Sequence, residues 1–85
     1  MIAQVKVYTT TYCGYCMRAK ALLKKREVPY EEVDVTDDSD KRSWLTETTG
    51  MRTVPQVFID DKPVGGFDEL SALDRSGELE RLLHR

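Results

Sequence analysis

The sequence predicts a small α/β domain in which helices flank a mixed, four-stranded sheet. The chain has only 85 residues, enough for one modest core, so we expect a single domain over residues 1–85. Segments typical of strands and of helices follow one another in the order β-α-β-α-β-β-α. The last two strand segments are joined by a turn too short for a crossover helix, which adds an antiparallel pair to a parallel one.

The first half of the chain predicts two strands joined by a helix. Residues 3–8 alternate in polarity and are rich in β-formers, whereas residues 14–26 have a helical composition. Pro29 ends the helical segment, and residues 30–35 form a second strand. This arrangement implies a right-handed parallel crossover. The buried face of the helix is expected to carry three residues: Cys16, Ala19 and Leu23.

The second half predicts a helix, a hairpin and further helical segments. Residues 37–49 form the helix, with acidic cap candidates at its start and Gly50 as its stop. Residues 57–59 and 63–64 form the hairpin strands, and the two glycines at 65–66 break the second of them. The remaining helical stretches cover residues 68–75 and 78–83.

The composition excludes several classes of protein. Fifteen acidic and 13 basic residues give a net charge of −2, which argues against nucleic acid as the main partner. The apolar runs are far shorter than the roughly 20 residues of a membrane helix. The first residues show no secretory signal pattern, so we expect a cytoplasmic protein.

Two cysteines, Cys13 and Cys16, carry the chemistry that the sequence indicates. A structural zinc site needs four ligands, and besides the two cysteines the sequence offers only His84 as a further soft ligand. No metal site is therefore expected. A lone C-x-x-C pair in a reducing compartment favours a redox or cluster-binding role. Two inert, buried cysteines are the alternative.

The position of the pair favours the redox role. Cys13 stands where a loop becomes a helix, close to unpaired N–H groups and the positive end of the helix dipole, which stabilise a thiolate. A stabilised thiolate is also a good leaving group. We therefore expect Cys13 to be the nucleophile and leaving group, with Cys16 as the resolving thiol.

Three motifs, taken together, resemble the glutaredoxin family. They are Cys13-Gly14-Tyr15-Cys16, the Thr-Val-Pro-Gln-Val-Phe-Ile run at 53–59 and the Gly-Gly-Phe-Asp-Glu-Leu run at 65–70. The resemblance covers essentially the whole chain. It implies a thioredoxin-like fold and a glutathione-dependent oxidoreductase that reduces disulfide-containing and glutathionylated proteins.

The resemblance also implies which residues bind glutathione. Val54 would pair through its backbone with the glutathione cysteine, next to Thr53 and a cis Pro55. Asp68, with the backbone of Phe67, would hold the γ-glutamyl end. Further contacts would come from Tyr15, which flanks the ligand, and from Arg42, which meets the glycine carboxylate.

Each assignment has a simpler alternative. Asp68 could merely cap a helix, and Arg42 could be a solvated surface residue.

The sequence also departs from the family's pattern at two positions. Thr10 stands where many relatives carry a lysine, so other groups must help to stabilise the Cys13 thiolate. Gly14 replaces a commoner proline, and in some relatives such a change accompanies a [2Fe–2S] cluster that bridges a dimer through glutathione.

Three functions remain open at this point. The first is a monomeric oxidoreductase with glutathione as co-substrate, and the second is a cluster carrier in which Cys13 is a ligand. The third is a small interaction domain whose cysteine pair is incidental. A thiol other than glutathione is a further possibility for the reductant.

Overall fold

The computed structural model describes residues 3–84, and in this part of the chain four strands and four helices follow one another. None of these helices is long and apolar enough to cross a membrane. Their bounds are β1 Val5–Thr9, α1 Gly14–Lys25, β2 Glu31–Asp34, α2 Ser39–Thr49, β3 Gln56–Ile59, β4 Lys62–Gly65, α3 Phe67–Ser76 and α4 Glu78–Leu83.

The strands form one mixed sheet in the order β2-β1-β3-β4. β1 pairs in parallel with β2 and antiparallel with β3, where Tyr8 stands opposite Gln56. β3 pairs antiparallel with β4, where Val57 stands opposite Gly65. The predicted fold class and parallel crossover are therefore confirmed, and β2 and β4 are the edge strands.

Apolar side chains cover both faces of the sheet. On one face, α1, α3 and α4 enclose the larger core, and the predicted helix positions Cys16, Ala19 and Leu23 are all buried. On the other face, Leu45 of α2 packs in a smaller core with Tyr8 and other residues. The larger core contains Ala3, Val5, Val7, Ala19, Leu23, Val28, Val57, Ile59, Leu70, Leu79 and Leu83.

Several predicted boundaries were wrong by one or two residues. α2 begins at Ser39 rather than at residue 37, because the Asp38 carboxylate accepts a hydrogen bond from the Lys41 N–H at 2.9 Å and so caps the helix. β4 extends through Gly65, which was expected to break the strand. Gly65 has a φ of 118° and pairs beside an irregularity in β3. A residue without a Cβ suits that conformation.

Candidate active site

Cys13 is the N-terminal cap of α1, as the sequence predicts. Its backbone is extended, and its Sγ accepts a hydrogen bond from the Cys16 N–H at 3.2 Å. The first helical hydrogen bond runs from the Met17 N–H to the Cys13 carbonyl oxygen, at 3.2 Å. The Cys13 sulfur thus lies at the positive end of the helix, where an N–H donor already points at it.

Cys16 differs from Cys13 in its surroundings. Cys16 is only 1% exposed, whereas Cys13 is half-buried. Burial, together with the hydrogen bond to Cys13, raises the pKa of the Cys16 thiol to about 12. At neutral pH Cys16 is therefore a protonated, sequestered thiol, and Cys13 is the sulfur that a substrate can reach first.

The loop before β3 faces the Cys13 sulfur. The Cys13 thiol donates to the Val54 carbonyl oxygen across 3.6 Å. The Val54–Pro55 peptide bond is cis, as the resemblance implied, and the Pro55 side chain is buried beneath the loop. The backbone of Val54 is thereby next to the reactive sulfur.

A groove of about 310 Å³ continues from Val54 towards the start of α3. It brings together six of the predicted binding residues, all except Arg42. One wall is aromatic, because the rings of Tyr15 and Phe67 lie 6.1 Å apart between centroids. The lining residues are Tyr15, Met51, Thr53, Val54, Pro55, Gly66, Phe67, Asp68 and Glu69.

Asp68 lines this groove, and its side chain is exposed. Gly66 caps α3, and Glu69 accepts a hydrogen bond from the Gly66 N–H at 2.7 Å. Within residues 3–84, the Asp68 side chain makes no hydrogen bond or ion pair, so the alternative reading as a helix cap is wrong. Its negative charge is available to a cationic group of a ligand.

Comparison with known proteins identifies the family. The glutaredoxin family model matches residues 5–64. This chain belongs to the glutaredoxin family. It is 44% identical over 82 residues to glutaredoxin 3 of Escherichia coli, covering 96% of this chain and 99% of that protein. It is 42% identical over 83 residues to a probable glutaredoxin of Synechocystis, covering 96% and 94%.

Solved glutaredoxins share the fold of this one. The buckwheat glutaredoxin–glutathione complex superposes with a TM-score of 0.88 at 37% identity, over 95% of this chain and 76% of that one. The solution structure of glutaredoxin from Brucella melitensis gives 0.87 at 40% identity, over 96% and 89%. The thioredoxin-like fold and the thiol–disulfide oxidoreductase activity predicted from the sequence are thus confirmed.

Arg42 is the predicted site residue that this glutaredoxin keeps outside the groove. It lies instead in a neighbouring depression of about 370 Å³, which it shares with Arg52. Sequence reasoning did not single out Met51 or Glu69 as site residues. Gly66 followed by Glu69 at the third helical position resembles a capping box and could have located Glu69. Nothing in the sequence distinguishes Met51.

The described part of the glutaredoxin offers little to a metal ion. No group of three or more His, Cys, Asp or Glu side chains within residues 3–84 is placed to hold one. Of the two cysteines, Cys13 alone has a sulfur that is accessible to a [2Fe–2S] cluster, since Cys16 is 1% exposed.

The contrast between the two thiols predicts selective alkylation. We expect iodoacetamide at pH 7.5 to modify Cys13 and to leave Cys16 largely unmodified, because Cys16 is buried and its pKa is about 12. Peptide mass spectrometry over a time course measures both rates. In urea, both cysteines should react at similar rates; similar rates in the folded protein would contradict the assignment.

The raised pKa of Cys16 also predicts how stability depends on pH. Below its ordinary pKa of 9.0 the thiol is protonated in both states, and its contribution to folding is complete. As the pH rises from 9 towards 12, the unfolded chain loses this proton first, so stability falls. Between pH 8 and 10 we expect reduced wild type to lose about 1 kcal/mol more than Cys16→Ala. Urea unfolding of both proteins measures this, and parallel pH profiles would refute it.

Proposed function

We propose that this glutaredoxin reduces glutathionylated proteins and protein disulfides through Cys13, with glutathione as the reductant. One observation carries the proposal. The Asp68 carboxylate, which has no partner within residues 3–84, lines the same groove as Val54, whose carbonyl oxygen lies 3.6 Å from the reachable Cys13 sulfur. Glutathione has the matching pattern, a thiol at its centre and an ammonium group at its γ-glutamyl end.

The backbone around the groove supports this orientation of glutathione. Val54 can offer an N–H donor and a carbonyl acceptor to the peptide of the glutathione cysteine, as a neighbouring strand would. At the γ-glutamyl end, the ammonium group meets the Asp68 carboxylate. The adjacent α-carboxylate meets the unpaired N–H groups at the start of α3, including that of Phe67. The buckwheat relative has been solved as a glutathione complex, which also supports the proposal.

Reduction of a glutathionylated protein proceeds by two exchanges. The Cys13 thiolate attacks the glutathione sulfur, forms a disulfide with it and releases the protein as a thiolate. A second glutathione thiolate then attacks the same glutathione sulfur, which releases glutathione disulfide and returns the Cys13 thiolate. The Cys16 N–H stabilises that leaving thiolate from 3.2 Å.

Reduction of a protein disulfide requires the second cysteine. After Cys13 has formed a mixed disulfide with the protein, Cys16 loses its proton and attacks the Cys13 sulfur. This step forms the Cys13–Cys16 disulfide and releases the reduced protein. Two glutathione molecules then restore the dithiol and leave as glutathione disulfide. Burial of Cys16 favours its protonated form, so this route should be the slower one.

The remaining predicted residues have supporting roles in this proposal. The Tyr15 ring is tilted by 36° against that of Phe67, and the Arg18 guanidinium lies 5.4 Å from the centre of the Tyr15 ring. Thr53 also lines the groove. Arg42 meets the glycine carboxylate from the neighbouring depression. Because one chain supplies the groove and both thiols, we propose that it acts as a single-domain monomer. We propose the cytoplasm as its location, because a lone C-x-x-C pair suits a reducing compartment.

Substitution of each cysteine tests the two routes. With a glutathionylated peptide as substrate, Cys13→Ser should lose activity by at least about a hundredfold, because it removes the nucleophile. Cys16→Ser should retain activity on that peptide and lose it on a protein disulfide. A coupled assay of glutathione disulfide formation measures both. Activity of Cys13→Ser close to wild type would refute the proposal.

Substitution of Asp68 tests the γ-glutamyl contact. We expect Asp68→Asn to raise the KM for the glutathionylated peptide about tenfold, because it removes one charge-assisted interaction. Asp61→Asn is the matched control, since Asp61 lies beyond the opposite end of β3 and should leave the KM unchanged. Equal KM values for the two variants would exclude the proposed role of Asp68.

A further inference from the structure

Gln56, the first residue of β3, is a buried amide beside the active site. Its side chain is fully buried, and its Nε2 donates to the Thr53 carbonyl oxygen at 2.8 Å. Among the described residues 3–84, the Gln56 Oε1 has no hydrogen-bond partner. Because the acceptor is a carbonyl, only the NH₂ group can point at it, and the amide oxygen must face the other way.

This arrangement does not favour stability. Leaving a buried polar atom without a partner destabilises a fold by more than one ordinary hydrogen bond stabilises it. Phe58, two residues further along the same strand face, shows that an apolar side chain packs well there. A contribution to stability therefore does not explain why Gln56 occupies this position and bonds to the Thr53 carbonyl oxygen.

The geometry of the peptide unit supplies that explanation. The Thr53 carbonyl and the Val54 N–H belong to one trans peptide plane, so they point in opposite directions. When Gln56 holds the carbonyl oxygen inward, the Val54 N–H is turned outward, away from Gln56. On the other side of Val54, its own carbonyl oxygen lies 3.6 Å from the Cys13 sulfur.

We propose that Gln56 is a positioning residue for glutathione, which fixes the peptide plane that presents the Val54 N–H to the ligand. The inference rests on the proposed pairing of Val54 with glutathione. A peptide held in place before binding loses less conformational freedom when the ligand arrives. Without the Gln56 contact, the plane can rotate in solvent, and binding must order it.

Gln56→Met tests this role, because methionine has a similar size and no hydrogen-bonding amide. We expect the KM for a glutathionylated peptide to rise about three- to tenfold, the range of one modest hydrogen bond, with kcat within about twofold of wild type. The melting temperature should stay the same or rise, because the unpartnered Oε1 is removed. Ser76→Ala is the control: it removes the hydrogen bonds of the Ser76 hydroxyl to the Leu73 carbonyl oxygen and from the Glu78 N–H, outside the groove, and should leave the KM unchanged.

A direct binding measurement separates this inference from the proposed function. In wild type, titration with S-methylglutathione should shift the Val54 amide resonance in ¹⁵N spectra. If it does not, the pairing of Val54 with glutathione is wrong. If wild type responds and Gln56→Met binds the probe with equal affinity, the pairing stands and the role of Gln56 is overturned.

A second variant keeps the test decisive if Gln56→Met folds poorly. Gln56→Asn keeps an amide but is one methylene shorter, so it should not reach the Thr53 carbonyl oxygen. The same three- to tenfold weakening of S-methylglutathione binding is expected for a folded Asn variant. If Gln56→Asn binds S-methylglutathione with wild-type affinity, the positioning role of Gln56 is overturned. The role is also overturned if the affinity falls only in proportion to a fall in the melting temperature.

Discussion

The chemistry of this glutaredoxin depends on one short contact, in which the Cys16 N–H donates to the Cys13 sulfur at the start of α1. The contact needs a helix that begins directly after Cys13, because only in the first turn is the Cys16 N–H free of an intrahelical partner. The same three-residue spacing buries the Cys16 side chain. One turn of helix thus makes the two sulfurs unequal: Cys13 is reachable, whereas Cys16 is hidden and protonated.

The sheet topology brings the other parts of the site to that sulfur. β1 runs towards Cys13, and its neighbour β3 runs in the opposite direction, so the loop before β3 lies beside the C-terminal end of β1. β4 is antiparallel to β3, so the C-terminal end of β4, followed by α3, lies on this side of the sheet as well. Three connections that are distant in sequence therefore meet at one groove. Gly66 allows the closest approach, since a Cβ there would lie 3.2 Å from the Pro55 carbonyl oxygen.

Much of this arrangement could be predicted from the sequence. Periodicity and turn residues predicted the strands and helices, and a helix beginning directly after Cys13 followed from the change of composition after the first strand. Segment ends were harder, because the choice between residues 37 and 39 as the start of α2 depends on which acidic side chain captures the Lys41 N–H. The position of Arg42 outside the groove was not predictable, because it depends on how α2 is rotated against the sheet. The Gln56 contact likewise depends on the path of a loop.

The edges of the sheet have a consequence for the behaviour of the protein at high concentration. β2 presents Glu31, Glu32 and Asp34, and β4 carries Lys62 and Pro63. Two copies that approached through β2 would bring rows of like charge together, and a proline interrupts the hydrogen-bond pattern that an added strand would need. Extension of the sheet from one molecule to the next is therefore disfavoured at both margins.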